Sequence, residues 1–377
     1  MVEYAKYELK NVCSRLSSGK SISSKMISEE GRYPVYGGNG LRGYTDHSNF
    51  SGDCAIIGRQ GAFCGNVRYF SGEAYMTEHA VVVCANNLNN THYLAYLLST
   101  MNLGRLSGQS AQPGLSVKTL GIQEIMLPSI EYQNKVVALL SSLDEKIAVN
   151  NNINDNLQQQ AAAIFRSWFV DCDLFGGKAP DEWENVTLED ITALVSRGIT
   201  PKYADDTDQI VINQKCVRNH MIDLSLARTH TPKVINEKWL RFGDLLINST
   251  GDGTLGRAAQ VWFQPKNLTV DSHVMIVRPA KENLIFYIGL WGILHEKEIE
   301  SLHTGSTGQT ELPRDRVKAM ELRLPDNDTL DRFNALITPM AAAIVANQEE
   351  NNQLAALRDA ILPKLMSGEI DVSAVQL

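Results

Sequence analysis

Residues 130–168 read IEYQNKVVALLSSLDEKIAVNNNINDNLQQQAAAIFRSW, and residues 327–365 read NDTLDRFNALITPMAAAIVANQEENNQLAALRDAILPKL. A constant shift of 197 residues, from 130 to 327, aligns the two segments without a gap, and the match extends back to residues 108 and 305. Such a register means that one structural unit is present twice. Because two copies are too few to build a solenoid, we expect a pseudo-two-fold internal repeat, an intramolecular pseudo-dimer.

Both segments carry the pattern of a coiled-coil helix. Apolar residues recur at alternating spacings of three and four, as Val136, Leu140, Leu143 and Ile147 do in the first segment. This spacing is typical of helices that pack on one another along a narrow seam. A helix of about 36 residues would be about 54 Å long at a rise of 1.5 Å per residue. We therefore expect the two helices together to act as a ruler, a spacer of fixed length that sets the distance between the segments attached at its ends.

Asparagines occupy the middle of each predicted seam. They are Asn150 and Asn154 in the first segment and Asn347 and Asn351 in the second. If the helices pair antiparallel, the four amides form one polar layer, and buried seam amides fix the register and orientation of coiled coils. In the alternative interpretation the heptad frame slips locally and these asparagines face solvent.

The segments before each helix have the pattern of small α+β domains. Each contains short β-branched runs, such as residues 80–83 and 274–277, between turns rich in glycine and asparagine. The two domains match each other loosely, with gaps. The aligned positions are Leu9 with Leu188, Gly19 with Gly198, Gly52-Asp53 with Gly243-Asp244, Gly65 with Gly256, and His79 with His273.

We therefore predict an α+β protein in which two recognition domains are separated by two long helices packed as an antiparallel coiled coil. The predicted boundaries are 1–128 for the first recognition domain, 129–178 for the central helical region, 179–325 for the second recognition domain and 326–377 for the C-terminal helical region. A shared framework with divergent loops indicates two readers of two different ligands.

The composition is that of a globular protein, with 44% apolar and 21% charged residues. Because no run of about 18 apolar residues is present, we expect no membrane span, and the first residues lack a secretory leader. The six cysteines have no CxxC spacing, which favours reduced thiols in a cytoplasmic protein. The net charge of −8 is concentrated in the two helical segments, so the recognition domains have room for basic faces.

Catalytic and cofactor motifs fail on spacing or context. Residues 251–256 fit GxGxxG, but the residues after them have a strand pattern rather than that of a helix that could hold a pyrophosphate. Gly19-Lys20-Ser21 lacks the earlier glycine of a P-loop. No zinc-ligand spacing connects the histidines and cysteines His47, Cys54, Cys64 and His79. We therefore expect no metal, no cofactor and no catalytic residue in this chain.

Polar loops suited to nucleic-acid recognition remain. Amide and basic side chains can make paired contacts to base edges, and hydroxyl groups can contact sugar and phosphate. In the first domain the candidate DNA-binding residues are Lys20, Tyr36, Gly38, Asn39, Arg42, Tyr44, Arg59 and Gln60. In the second domain they are Thr200, Lys202, Asn213, Gln214, Lys215, Asn248, Ser249 and Thr250. Each is also explained as an ordinary surface turn, and the sequence leaves that alternative open.

Over essentially its whole length the chain resembles the specificity subunit of type I restriction-modification systems. The segments that carry the resemblance are residues 33–40 (YPVYGGNG), 108–115, 165–171 (FRSWFVD), 305–312 and 362–370 (LPKLMSGEI). They occur together with the duplicated helices, which makes the combination specific.

The resemblance implies a non-catalytic reader of double-stranded DNA. In that family two target-recognition domains each read one half of a split, asymmetric sequence, and two conserved helical regions form a spacer that docks two modification subunits. Those partners bind S-adenosylmethionine and methylate adenine N6, and motor-nuclease restriction subunits, where present, cleave unmethylated DNA. Base-contacting residues vary between members, so the candidates above rest on loop chemistry alone.

Two other functions stay open at this point. A coiled-coil scaffold whose globular ends bind protein partners would need the same helices and no DNA. A nucleotide-using enzyme would depend on residues 251–256.

Overall fold

The computed structural model describes residues 2–107, 114–251, 253–305 and 310–373. It divides into two compact units, unit 1 with Met1–Ala148 and Asn351–Leu377, and unit 2 with Val149–Glu350. The repeated loops at 108–113 and 306–309, and Asp252 of the glycine-rich motif, lie outside the described residues. Because the units divide the predicted helical regions, the four predicted segments stay a prediction.

Unit 1 is built on a mainly antiparallel sheet. Its strands are β1 (Ala5–Glu8), β2 (Cys13–Ser18), β3 (Tyr33–Gly37), β4 (Gly40–Thr45), β5 (Phe50–Gly58), β6 (Val67–Met76), β7 (Ala80–Ala85) and β8 (Glu124–Leu127), and its short helices are α1 (Thr91–Ser99) and α2 (Val117–Gly121). The main sheet has the order β2-β7-β5-β6-β3-β4, and β1 pairs with β8 separately. The predicted runs 54–57 and 80–83 lie in β5 and β7.

The β5–β6 ribbon of unit 1 bends at a pair of glycines. Gly52 and Gly72 lie opposite each other with φ of 111° and 126°, a backbone region that residues with a Cβ rarely adopt. Along β5, Ala55 and Ile57 pack in the core beneath α1, whereas Ile56 packs in a second core on the other face. Alternation along the strand thus gives the sheet two buried faces.

Unit 2 repeats this plan with shorter strands. The first long helix, α3 (Ile130–Phe165), precedes the strands of this unit, and the second long helix, α7 (Asn327–Ser367), follows them. The strands are β9 (Glu184–Thr187), β10 (Thr192–Arg197), β11 (Ile210–Ile212), β12 (Val217–Arg218), β13 (Met221–Ile222), β14 (Arg228–Thr229), β15 (Leu245–Asn248), β16 (Ala258–Gln260), β17 (Leu268–Val270), β18 (Val274–Pro279) and β19 (Glu321–Leu324). Between β18 and β19 lie the short helices α4 (Ile285–Leu294), α5 (Glu296–Ser301) and α6 (Arg314–Lys318). The sheets have the orders β10-β18-β15-β16 and β14-β11-β17, and β19 pairs with β9.

One long strand of unit 1 corresponds to two strands of unit 2. The end of β6 pairs in parallel with β3, and β17 pairs in parallel with β11 in the same way. Between β16 and β17, Pro265 has no N–H to donate and Asn267 has a φ of 52°. Both features interrupt a strand, so the ribbon of unit 2 is broken where that of unit 1 is continuous.

In each unit the two long helices run antiparallel. In unit 1 the Tyr132 hydroxyl donates to the Ile370 carbonyl oxygen at 3.0 Å, and Arg358 Nη1 donates to Asp144 Oδ1 at 2.6 Å. In unit 2, Asn347 Nδ2 donates to Asn154 Oδ1 at 2.8 Å, and the rings of Phe165 and Phe333 pack with centroids 6.0 Å apart. Residues later in α3 therefore contact residues earlier in α7.

The predicted seam asparagines of α3 are buried. Asn150 is 0% exposed and Asn154 is 2% exposed, whereas the apolar neighbours Val149 and Ile153 are 51% and 43% exposed. On α7, Asn347 and Asn351 are half-buried. The heptad frame thus holds through the middle of α3, and the alternative in which its asparagines face solvent is wrong.

All six cysteines are free thiols. Cys54 lies in the sheet core of unit 1, where burial raises the pKa of its thiol to about 12. Among the helices in the described ranges, none is both long and apolar enough to cross a membrane.

A buried ion pair in unit 2 replaces a cysteine pair in unit 1. Strand pairing aligns Leu245 and Val277 of unit 2 with Ala55 and Val83 of unit 1. Asp244 precedes Leu245 by one residue, and Arg278 follows Val277 by one residue. They therefore correspond to Cys54 and Cys84 of unit 1. The predicted match of Gly52-Asp53 with Gly243-Asp244 is consequently wrong by one residue, because the glycines suggested a register that the strand hydrogen bonds do not keep.

Asp244 and Arg278 form a two-point contact in the core. Arg278 Nε donates to Asp244 Oδ1 at 2.8 Å, and Nη2 donates to Oδ2 at 2.7 Å. The guanidinium also donates to the carbonyl oxygens of Glu237 and Trp239. Removing one member of such a pair leaves the other charge buried without compensation.

We expect the D244A substitution to lower the free energy of unfolding of unit 2 by about 3–5 kcal/mol, measured by urea denaturation with circular dichroism. The matched control is the double substitution of Asp244→Cys and Arg278→Cys, which removes both charges and copies the residues of unit 1. The control should be more stable than D244A. An equal loss in both proteins would contradict this account of the ion pair.

Candidate nucleic-acid interface

Four turns of unit 1 meet beside the start of β7. We call this group rim 1 and define it as residues 19–20, 36–38, 58–60 and 76–79. Backbone hydrogen bonds join the turns, from Lys20 N to Met76 O (2.9 Å), from Thr77 N to Tyr36 O (2.9 Å) and from Arg59 N to His79 O (3.0 Å). Gly38 completes the group, since a Cβ on it would lie 2.9 Å from the His79 carbonyl oxygen.

Unit 2 has the same arrangement beside the start of β18. Rim 2 is defined as residues 198–199, 212–214, 248–250 and 270–273. Its backbone bonds run from Ile199 N to Val270 O (2.9 Å), from Asp271 N to Ile212 O (2.8 Å) and from Ser249 N to His273 O (2.8 Å). Each bond has its counterpart in rim 1, so one backbone framework is present twice.

The loops before α2 and α6 attach to the rims in the same way. Leu115 N donates to the Arg59 carbonyl oxygen at 2.8 Å, and Leu312 N donates to the Ser249 carbonyl oxygen at 2.8 Å. Both leucine side chains are fully buried. The shift of 197 residues that aligns Leu115 with Leu312 in the sequence is therefore also a structural correspondence.

The structure brings most candidate residues of the first domain to rim 1. Lys20 and Gln60 are exposed on it, and Arg59 is half-buried. Gly38 and Asn39 form the two-residue tip of the β3–β4 hairpin, whose last pair is Gly37 with Gly40.

The other candidates of the first domain lie along that hairpin. Arg42 is exposed on β4, with its Cδ atom 2.8 Å from the Cβ that Gly37 lacks, and Tyr44 is half-buried. Tyr36 turns inward and packs on Phe70 with ring centroids 5.0 Å apart, and burial raises the pKa of its hydroxyl. Tyr36 therefore supports the hairpin from beneath.

In the second domain two candidates are wrong as DNA-contacting side chains. Asn248 and Ser249 are both 0% exposed, because they end the buried strand β15 beneath the turn of rim 2. Asn248 Nδ2 donates to the Gln214 carbonyl oxygen at 3.0 Å, so its amide holds that turn. The strand-like run before these two residues indicates burial. Because their side chains are polar, they were nevertheless predicted to contact DNA.

The remaining candidates of the second domain lie at the surface. Thr250 and Gln214 are half-buried on rim 2, and their side chains contact each other, with Thr250 Oγ1 3.1 Å from Gln214 Oε1. Asn213 Nδ2 is occupied by the Leu226 carbonyl oxygen at 3.0 Å. Exposed side chains near the rim are those of Lys215, Thr200 and Lys202.

Two histidines and one arginine were missed as functional residues. His79 Nδ1 lies 3.0 Å from Gln60 Oε1, and His273 Nδ1 lies 2.8 Å from Thr250 Oγ1. Their alignment in the two domains was the available signal. Arg68 is an exposed residue of β6 whose guanidinium lies over the hairpin, with Nη1 2.6 Å from the Cβ that Gly40 lacks, and no motif contains it.

The basic groups on rim 1 and on the segments next to both rims are available to an anionic ligand. Within the described parts of the chain, no carboxylate lies in ion-pair distance of the six basic side chains Lys20, Arg42, Arg59, Arg68, Lys202 and Lys215. Unpaired ammonium and guanidinium groups on a surface are the usual contacts to phosphate oxygens. Their chemistry suits a nucleic-acid backbone.

The other sites considered from the sequence have weaker structural support. The glycine-rich motif of residues 251–256 leads into strand β16, so it has no helix amino terminus for a pyrophosphate. Among the described residues, no three or more His, Cys, Asp or Glu side chains form a group that could hold a metal ion.

Comparison with known proteins identifies the family. The model of the type I restriction modification DNA specificity domain matches residues 1–159 and 180–351. The specificity subunit of the type I restriction enzyme EcoprrI from Escherichia coli is 41% identical over 134 residues, which are 34% of this chain and 33% of that protein. The match thus spans about a third of that relative's length.

Longer matches are more distant. The specificity subunit of the type I restriction enzyme MjaIX from Methanocaldococcus jannaschii is 27% identical over 313 residues, which are 75% of this chain and 69% of that protein. The crystal structure of the type I restriction-modification S subunit from M. genitalium is 15% identical with a TM-score of 0.61, and the match covers 97% of this chain and 96% of that one. This structure supports the fold alone. Since the family model covers both halves of the sequence, the chain belongs to the family of type I restriction-modification DNA specificity proteins.

Proposed function

We propose that this chain is the DNA-reading subunit of a type I restriction-modification complex and that it reads a bipartite, asymmetric site, one half with each rim. The observation that carries the proposal is the repeated rim, in which the same backbone hydrogen bonds hold different side chains. A fixed framework with changed side chains is what two readers of two different sequences require.

The rim side chains differ in type and in exposure. Position by position, rim 1 has Lys20, Arg59 and Gln60, whereas rim 2 has Thr250 at its surface and Ile199 and Ser249 buried. Arginine and lysine match the acceptors of guanine, and an amide matches adenine. The two rims therefore present different hydrogen-bonding patterns to a major groove, and each half of the target has its own sequence.

The long helices set the distance between the two halves of the target. We infer that α3 and α7 form an antiparallel coiled coil over their whole length, with Asn150, Asn154, Asn347 and Asn351 as the layer that fixes its register. The burial of Asn150 and Asn154 and the bond between Asn154 and Asn347 support this role. Half-site spacing then follows from helix length, as it follows from dimer geometry in other readers.

Partner subunits supply the chemistry. Two modification subunits dock on the helical regions, bind S-adenosylmethionine and methylate adenine N6, and restriction subunits, where present, cleave unmethylated DNA in the cytoplasm. Val149 and Ile153, which are about half exposed next to buried asparagines, give α3 an apolar surface of the kind that protein interfaces cover. This chain itself contributes no cofactor and no catalytic group.

Exchange of one recognition domain tests whether each domain reads one half of the target. If residues 1–128 are replaced by the same segment of a relative with a different target, one half of the methylated sequence should change and the other half should stay. Genome-wide mapping of methylated adenines in cells that also express the modification subunits measures this. A change in both halves would contradict reading by separate rims.

Salt dependence tests phosphate contact. Lys20→Gln should flatten the slope of log affinity against log salt by about 0.9 if Lys20 contacts one phosphate, measured by duplex binding to the chain co-purified with its modification subunits. Lys6→Gln is the matched control, since Lys6 is exposed and already pairs with Glu124 at 2.7 Å. DNA binding that is absent in the wild type, or insensitive to salt, would favour the protein-binding scaffold instead.

A heptad insertion tests the ruler. Seven residues inserted into both α3 and α7 at matched positions keep the seam in frame, so the spacer between the half-sites should lengthen while both halves keep their sequence. Two residues inserted at the same places turn the apolar face away from its partner and serve as the control, which should lose DNA binding. Altered half-sites in the heptad variant, again read from methylated adenines, would contradict the claim that helix length sets only the spacing.

A further inference from the structure

The two rims share one side chain that the proposed function does not yet use. Among the aligned rim positions that carry a side chain, His79 and His273 keep the same residue type, whereas Arg59 aligns with Ser249 and Gln60 with Thr250. In both rims the histidine carbonyl oxygen accepts a backbone N–H, from Arg59 or from Ser249. Any residue can supply that carbonyl, so the shared imidazole calls for a separate explanation.

In rim 1 the imidazole fixes an amide. An amide oxygen can only accept a hydrogen bond, so at a distance of 3.0 Å to Gln60 Oε1 the His79 Nδ1 atom carries the proton and donates. This bond sets which end of the Gln60 amide is oxygen and which is nitrogen. The Gln60 oxygen keeps a second lone pair, and its NH2 group stays available.

In rim 2 the imidazole fixes an amide through one intervening hydroxyl. Thr250 Oγ1 donates to Gln214 Oε1 at 3.1 Å, which leaves a lone pair of Oγ1 to accept from His273 Nδ1 at 2.8 Å. The direction of the bonds is therefore the same as in rim 1, and the chain of bonds again ends on a glutamine oxygen. The loop that carries His273 is itself held, because the His273 N–H donates to Asp271 Oδ1 at 2.9 Å.

The two glutamines come from different turns. Gln60 follows β5, whereas Gln214 follows β11, so the amide enters each rim from a different side. The histidine is the common point to which both amides are tied. Neither ring fills a core, since the His79 side chain is 44% exposed and His273 is exposed.

We propose that His79 and His273 are positioning residues that orient one reading amide in each unit, Gln60 in unit 1 and Gln214 in unit 2, and that each amide reads an adenine–thymine pair in its half of the target. This inference rests on the proposed function. A glutamine amide matches adenine by accepting from N6–H and donating to N7. An amide whose oxygen is already fixed presents that pattern in one orientation, so it discriminates between bases better than a freely rotating one.

The test uses the full chain in complex with its modification subunits and a library of duplexes with a randomised central region. Selection and sequencing give the base preference at each position of each half. His79→Ala should lower the preference for adenine by roughly tenfold at one position of one half, and Gln60→Ala should lower it at the same position. His273→Ala and Gln214→Ala should do the same at one position of the other half.

Conservative variants separate positioning from folding. The Nδ2 atom of an asparagine side chain occupies the place of the histidine Nδ1 atom, so His79→Asn should restore the adenine preference that His79→Ala loses. Thermal unfolding should be the same for both variants, because the carbonyl bond to Arg59 does not involve the ring. His47→Ala, which removes an exposed imidazole from a turn outside the rim, should leave both halves of the target unchanged.

The outcomes distinguish the inference from the proposed function. If the wild-type complex selects no bipartite sequence, the proposed function fails. If the wild type selects one but His79→Ala and His273→Ala keep every base preference, the positioning role fails alone. If the affected position prefers guanine or cytosine in the wild type, the assignment to an adenine–thymine pair is overturned.

Discussion

Both recognition units depend on one close backbone contact. A Cβ on Gly19 would lie 2.1 Å from the Met76 carbonyl oxygen, and a Cβ on Gly198 would lie 1.9 Å from the Val270 carbonyl oxygen. Only glycine permits this approach. Because of this contact, β2 lies beside the loop that precedes β7, and β10 lies beside the loop that precedes β18. The other turns of each rim form their hydrogen bonds with that same loop. The backbone fixes the rim, and the side chains on it are free to differ.

The long helices could be predicted from the sequence, whereas the rims could not. A heptad pattern marks one face of a helix by spacing alone, so the burial of Asn150 and Asn154 on α3 could be predicted from it. The rims are held by backbone N–H and carbonyl groups, which leave no pattern of residue types except their glycines. Candidate residues chosen by polarity therefore included Asn248 and Ser249, which are buried, and omitted Arg68 and the two histidines, whose side chains contact residues of other turns.

The two copies have diverged within the core as well as at the surface. An ion pair of Asp244 and Arg278 takes the place of Cys54 and Cys84, and Pro265 breaks a ribbon that is continuous in unit 1. The helices have kept their register more strictly than the sheets have kept theirs. Two helices that pack along a narrow seam need a regular apolar spacing to keep that seam, whereas a sheet core accepts many sets of side chains that fill it and satisfy its polar atoms.

The division of the chain between the units has a consequence for synthesis on the ribosome. Unit 2 is one continuous segment, Val149–Glu350, whereas unit 1 combines the beginning of the chain with Asn351–Leu377. Tyr4 and Tyr132 donate hydrogen bonds to the carbonyl oxygens of Leu365 and Ile370, which emerge after all of unit 2. Domains fold as they leave the ribosome, so unit 2 can close before the segment Asn351–Leu377, which unit 1 needs, has been synthesised.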